Sequence, residues 1–158
     1  DANAIREVNE RAFGRPAEAG IVRMLRSRRL LTLSLVAIER GRVIGHVAFS
    51  PVTILGERDA KALGLGPIAV LPEHQNKEVG TKLMNTGLDL CRELGYRIVV
   101  VLGAPKYYGR FGFAPAYKYL LKCEYEAPAD AFQALELVPN ALSGFEGTVK
   151  YQPEFDEA

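Results

Sequence analysis

Cysteine is nearly missing from this chain of 158 residues: Cys91 and Cys123 are the only two, and they lie far apart. That argues against a disulfide framework and a paired-cysteine metal knuckle, and makes a reducing cytoplasm the expected location. Histidine is equally scarce, with His46 and His74 alone, so no ligand spacing for a metal exists and none is expected to bind. Excess charge is lacking too. Twenty Lys and Arg against 19 Asp and Glu leave a net +1, and a nucleic-acid partner, which needs clustered cations, is not expected. The one basic cluster, Arg23, Arg26, Arg28 and Arg29, reads as the wet face of a helix. No apolar run approaches the roughly 18 residues that span a bilayer and no secretory leader is visible, so no membrane partner is expected.

What is present is the composition of a globular protein, 48% hydrophobic and 25% charged, with length for one domain over residues 1–158. Helical spacing over 2–13 aligns Ala4, Ile5, Val8, Ala12 and Phe13, and Gly14 ends the run. A second helix after Arg15-Pro16 turns Ile21, Met24 and Leu25 inward. From 31 to 39 the period becomes two, as in a strand covered on both faces, and a tight turn at 39–42 returns the chain as a strand over 43–50. A third strand spans Ala62 to Leu71. A polar bend at 73–77 leads into a helix with Val79, Leu83, Met84, Leu88, Cys91 and Leu94 on one face, terminated by Gly95. Residues 97–102 (RIVVVL) form a buried strand, parallel to the third through a right-handed crossover. Beyond it, alternation over 117–125 predicts a half-exposed strand, 129–134 a turn of helix, and 145–151 a last strand. The expected fold is mixed α/β (α+β), a mostly antiparallel sheet with a parallel strand–helix–strand core.

The bend before the long helix carries the most chemistry. A helix N-terminus offers unpaired N–H groups and partial positive charge to an anion such as a pyrophosphate, and Gly80 lets backbone come close. Lys77 and Lys82 add charge, and Gln75 can bond the bend or the ligand. An ordinary surface loop is the competing reading on composition alone. No G-x-x-x-x-G-K-[ST] loop exists, and Gly64-Leu65-Gly66 precedes a strand, so neither a nucleotide loop nor a dinucleotide fingerprint is present.

Gln75-Asn76-Lys77-Glu78-Val79-Gly80, between strand and helix, resembles the acetyl-CoA-binding motif of GNAT acetyltransferases: Gln or Arg, two variable residues, Gly, one variable residue, then Gly or Ala. Glu78 stands where the first glycine usually is. Residues 66–75 resemble the family's central strand and its exit. Tyr107 to Phe113 (YYGRFGF) resembles its later tyrosine–Gly-Phe signature. The resemblance covers nearly the whole chain and is nearest to the YhbS-like branch of predicted acetyltransferases, in which an Asp would precede Pro105 where this chain has Ala104. The family's first strand would lie before Asp1.

The resemblance implies an N-acetyltransferase that passes the acetyl group of acetyl-CoA, its co-substrate, to an amine of a small molecule or protein by direct attack. The pantetheine arm would pair with the backbone of Ile68, Ala69 and Val70 where the third and fourth strands splay. Gln75, Asn76, Lys77, Glu78, Val79, Gly80 and Thr81 would hold the pyrophosphate. The Ile68 N–H would stabilise the oxyanion. Tyr108 matches the general acid that protonates the leaving thiolate, with Tyr107 in reserve; the competing reading is aromatic packing against Phe111 and Phe113. The third strand has no carboxylate to act as base. His46, on the second strand, is a candidate with a suitable titration range, against the reading of a hydrogen-bonded structural histidine; an ordered water chain is a further alternative. A non-catalytic acyl-CoA sensor of the same fold is the alternative function. A nucleotide-binding α/β protein is a third reading, which the antiparallel strands at both ends of the chain oppose. Exposed strand edges leave room for a homodimer.

Overall fold

A computed structural model gives residues 2–13, 33–55, 60–75, 78–144 and 146–151. The expected second helix, the arginine cluster, Asn76 and Lys77 lie outside these described residues, as do the side chains of Ala12 and Phe13. The chain forms two units, one of Asp1–Ser50, Leu65–Gly87 and Gln152–Ala158, the other of Pro51–Gly64 and Leu88–Tyr151. Among the described residues six strands hydrogen-bond in the order β1 (Leu33–Glu39), β2 (Arg42–Pro51), β4 (Ala62–Val70), β5 (Ile98–Leu102), β8 (Phe132–Glu136), β6 (Ala114–Pro115), and three more in the order β3 (Thr53–Ile54), β9 (Gly147–Lys150), β7 (Leu121–Cys123), a mixed fold of the expected class.

In the first unit, helix α1 (Ala2–Phe13) precedes a hairpin of β1 (Leu33–Glu39) and β2 (Arg42–Pro51). The hairpin is antiparallel, from Leu33 opposite Phe49 to Glu39 opposite Arg42, with a bulge between Ala37 and Ile38. Arg40 and Gly41 both have positive φ, 51° and 78°, which gives a two-residue loop the twist that matches its strands. Strand β1 was expected to be covered on both faces. It is instead the half-exposed edge of the sheet, and β2, from Val43 to Ser50, is the strand buried on both sides. Ile5 and Val8 of α1 are buried, and Val8 joins Val43, Ile44, Ala69 and Leu71 in one apolar cluster.

Strand β4 (Ala62–Val70) and helix α2 (Val79–Glu93) pass from one unit into the other. The helix lies close on β2. A Cβ at Gly45 would come within 2.9 Å of Leu83 and 3.1 Å of Val79, and one at Gly87 within 2.7 Å of the Phe49 ring. Two glycines therefore set the helix-to-strand distance, and with it where the helix N-terminus stands.

In the second unit, α2 closes with paired bonds, Tyr96 N–H to Cys91 O and Gly95 N–H to Arg92 O. Gly95 takes the left-handed φ of 92° that this ending requires. Leu94, expected to face inward, lies beyond the last helical residue and is exposed. β5 (Ile98–Leu102) pairs parallel with β4 at Ala62, Leu63 and Gly64, as expected. Its other edge takes β8 (Phe132–Glu136) antiparallel, from Ile98 opposite Glu136 to Leu102 opposite Phe132.

Residues 129–134 are thus not a turn of helix: a turn closes from Pro128 to Ala131, and pairing with β5 draws Phe132 onward into the sheet. The long strand expected over 117–125 is also shortened. After β6 (Ala114–Pro115), residues Ala116–Tyr119 form a 3-10 turn, Leu120 caps it at φ 62°, and only β7 (Leu121–Cys123) is strand. β7 and β3 (Thr53–Ile54) flank β9 (Gly147–Lys150), parallel and antiparallel respectively.

Candidate active site

The first group of site residues stands where β4 ends. The registered pairs of β4 with β5 stop at Gly64 opposite Val100, while β4 continues to Val70. Gly66 has a φ of 147° and Pro67 has no N–H, so the ladder is interrupted there. Beyond them the strand alternates. Ala69 is buried in the apolar cluster with Val43 and Leu71, whereas Ile68 and Val70 on the other face are partly open.

The bend that follows is tied down by backbone and charge. Leu71 N–H donates to Ile44 O at 2.8 Å, extending the sheet by one bond, and His74 N–H returns to Leu71 O. Gln75 Nε2 donates to Val70 O at 2.9 Å, so this side chain holds the bend. Arg42 reaches Glu7 at 3.7 Å and Glu73 at 3.5 Å, and His74 Nδ1 lies 3.4 Å from Glu39. The two arginine pairs are exposed and each contributes little alone, while His74 is partly buried against Glu39.

Glu78 is the hinge between bend and helix. Its carbonyl accepts the first helical bond, from Lys82 N–H at 3.0 Å, which leaves the N–H groups of Val79, Gly80 and Thr81 with no carbonyl of the helix to bond. Its φ is 64°, a left-handed conformation that a Cβ disfavours. The sequence marks this position as the one where the related motif carries glycine. The reason is now visible: the turn into the helix demands positive φ. The Glu78 side chain is exposed.

His46 sits on β2, fully buried, with Nε2 2.8 Å from Ser34 Oγ across the hairpin. Burial and a hydroxyl partner fit the structural reading as well as the catalytic one.

Tyr108 belongs to the second unit, on α3 (Pro105–Gly109) just after β5. It is only 9% exposed. Its ring meets Tyr107 edge-on at 5.0 Å and Phe113 at 5.8 Å, and it rests on Gly103, where any Cβ would collide with it. Burial, with Tyr107 adding a smaller push, raises its phenol to about 12, above the value near 10 expected for a free tyrosine. Tyr107 is less enclosed. Burial raises it, while Arg110, 4.7 Å above its ring, works in the opposite direction. Both readings of Tyr108 meet here, since the packed aromatic cluster also fixes the phenol. Sequence reasoning missed Gly45, Gly87 and Gly103, which seat the helix and the tyrosine. Gly45 inside β2 and Gly87 inside α2 carry the signal that marks such close approaches; Gly103, in the turn after β5, carries none.

Among the described residues no group of three or more His, Cys, Asp or Glu is placed to hold a metal, and no helix is long and apolar enough to cross a membrane. The strand order, the open helix terminus after β4 and the tyrosine-bearing turn after β5 define the acyl-CoA N-acyltransferase class of fold. Residues 1–116 match the profile of the acetyltransferase (GNAT) domain, and the chain belongs to that family of acetyltransferases. YhbS of Escherichia coli K12, named an uncharacterized N-acetyltransferase, is 41% identical over 157 residues, 99% of this chain and 93% of that protein. The crystal structure of the E. coli YhbS complex with CoA matches with a TM-score of 0.95, covering 99% of this chain and 87% of that one. A GNAT acetyltransferase from Brucella melitensis, solved with acetyl-CoA, matches with a TM-score of 0.81 at 42% identity, covering 99% of this chain and 92% of the other.

Proposed function

We propose that this acetyltransferase uses acetyl-CoA and transfers its acetyl group directly to a primary amine. The observation that carries the proposal is the row of N–H groups at Val79, Gly80 and Thr81, opened by the left-handed Glu78 directly after β4. These groups suit a pyrophosphate, and the sequence puts Asn76 and Lys77 directly before them. The backbone of Ile68 to Val70, past the last registered pair with β5, suits a pantetheine amide, and the Ile68 N–H suits the oxyanion. The amine nitrogen bonds to the thioester carbon and gives up a proton as the C–S bond breaks. The departing sulfur takes one from Tyr108. A phenol is protonated at neutral pH and can give that proton to the charge developing on sulfur; burial, which raises it to about 12, makes it a weaker acid than a free tyrosine, so donation is completed only as the thiolate forms. His46, bonded to Ser34, is the base in this reading. The reading extends to one catalytic domain over residues 1–158, and to a cytoplasmic setting in keeping with the free thiols of Cys91 and Cys123.

Calorimetric titration with acetyl-CoA, with CoA and ATP as controls, tests it. Micromolar binding that is tighter for both CoA compounds than for ATP is expected; equal or tighter binding of ATP would sink the cofactor assignment. A non-catalytic acyl-CoA sensor is the second reading, favoured by the Glu78 carboxylate at the helix terminus. It predicts binding without thiol release from acetyl-CoA across a panel of amines.

A further inference from the structure

The second unit contains a cavity of about 460 Å³ between β7 and the start of β8, walled by Tyr117, Tyr125 and Phe132, with Cys123, Lys122 and Glu126 among its other residues. The size falls in the range of small-molecule sites. Its position relative to Tyr108 follows from the sheet. Phe132, on its wall, is the registered partner of Leu102, the last residue of β5. The next residue, Gly103, donates its N–H to Ala131 O at 3.0 Å, and its carbonyl accepts from Gln133 Nε2 at 3.3 Å. Gly103 is the residue against which the Tyr108 ring rests.

A second connection runs through Tyr125. Its ring lies 5.8 Å from that of Tyr151. Tyr151 is buried, its phenol raised first by burial and then by neighbours that include Cys123, Tyr125 and Tyr108. The same ring covers Gly64, where a Cβ would come within 2.8 Å of it, and Gly64 is the last residue of β4 registered with β5. Two short chains of packed contacts therefore join the cavity wall, through Phe132 to the seat of Tyr108 and through Tyr125 and Tyr151 to the last registered pair of β4 with β5.

We infer that this cavity is the acceptor subsite, and that its ligand is a primary amine carried on an aromatic or branched apolar body. The inference rests on the acetyltransferase reading proposed above. The chemistry of the walls selects the class. Three aromatic rings, with Phe132 the buried one, offer an apolar body a contact surface and a cation a π face. Among the lining residues Glu126 is the one carboxylate and balances one ammonium; Asp130, at the rim, is taken up by Tyr117. Lys122 opposes a second, so a polyamine, which needs several carboxylates, is disfavoured. The thiol of Cys123, raised by burial before any other cause, stays neutral and adds no charge. At the rim, Tyr117 donates to Asp130 Oδ1 at 3.3 Å, which steadies the outermost ring.

Steady-state thiol release at saturating acetyl-CoA tests the assignment, with 2-phenylethylamine, ethylamine and spermidine as acceptors. A KM at least tenfold lower for 2-phenylethylamine than for either other amine is expected, from the apolar area its ring buries. Tyr117→Ser and Glu126→Gln, both at exposed positions, should each raise that KM severalfold while leaving the KM for acetyl-CoA in place. Phe132→Leu, which keeps the wall apolar, should raise it less than Tyr117→Ser. Equal KM values for the three amines, a preference for spermidine, or variants indistinguishable from the parent protein would overturn the assignment. Acetyl-CoA binding by calorimetry without turnover of 2-phenylethylamine would overturn it too, leaving the cofactor reading intact. Failure to bind acetyl-CoA at all would instead remove the reading on which it rests.

Discussion

The β4–α2 junction and the β5–α3 turn hold the groups that the proposed function assigns to them by different means. At the first, the groups offered are backbone N–H, and what places them is a dihedral angle at Glu78 and the distance that Gly45 and Gly87 allow between helix and strand. At the second, the group offered is one phenol, and what places it is a set of neighbouring rings and the bare backbone of Gly103. A backbone site tolerates changes of side chain but not of φ or of helix position. A side-chain site is lost with one atom. The first should therefore fail by degrees and the second at once.

The sharpest break is Tyr108→Phe. It removes a single oxygen and leaves the ring packed on Tyr107 and Phe113. Turnover should fall by about 100-fold or more, the scale of a lost proton donor, with acetyl-CoA affinity by calorimetry unchanged. A drop of less than threefold would reduce Tyr108 to a packing residue. Gly103→Ala is the matching test of the seat: it retains the phenol but pushes the ring, and turnover should fall by about tenfold or more.

Next in size is Gly45→Val. The added methyls enter space already filled by Leu83 and Val79, and overpacking of this kind costs about 1–3 kcal/mol. Urea unfolding measures the cost. Acetyl-CoA affinity should fall with it, because the helix N-terminus moves. Stability lost with affinity unchanged would mean that the helix does not carry the phosphate groups.

The same contrast explains what could be read from the chain alone. The β4–α2 junction was legible because a backbone site leaves a motif: Gln75, Gly80 and the strand before them stand at fixed spacing. The parallel pairing of β4 with β5 and the hairpin of β1 with β2 followed from periodicity and short connections. Residues 116–136 were not legible. Alternation over 117–125 matched a strand, but the left-handed Leu120 breaks the run, and β8 owes its conformation to pairing with β5 rather than to its own sequence. Leu31 to Glu39 read as doubly covered because apolar residues fill both of its faces; position at the sheet edge, which only topology supplies, leaves β1 half exposed. The seat of Tyr108 on Gly103 is a fact of packing within one turn, and no residue pattern announces it.

High pH should separate the two regions further. Burial raises Cys91 and Tyr108 to about 12 and pushes Tyr107, Cys123 and Tyr151 upward. Each is an acid that the folded chain keeps protonated to higher pH than the unfolded chain does. The unfolded state then binds fewer protons above about pH 8.5–10, so stability is complete below that range and declines as pH rises toward 12, by about 1.4 kcal/mol per pH unit for each proton fully retained. Melting temperatures measured from pH 7 to 11 should fall above about pH 9, and Cys91→Ala should flatten the earliest part of the decline. A flat curve would contradict the burial of these groups. All five lie in the second unit, and none is in the bend at 71–78, so acetyl-CoA binding should hold until the fold itself gives way.

The smallest effect belongs to Glu78 and has two separable parts. Its carboxylate lies at the N-terminus of α2, where negative charge favours the empty helix but opposes an arriving pyrophosphate. Its backbone holds a left-handed angle that glycine adopts without a Cβ penalty. Glu78→Gln removes only the charge. It should tighten acetyl-CoA binding a fewfold, most at low salt, and lower the stability of the free protein slightly. Glu78→Gly removes both charge and strain. If it binds tighter than Glu78→Gln, the angle limits the cradle; if the two bind alike, the charge alone does. Weaker binding in both would mean that the carboxylate assists the ligand, and the N–H row after it would no longer account for the site.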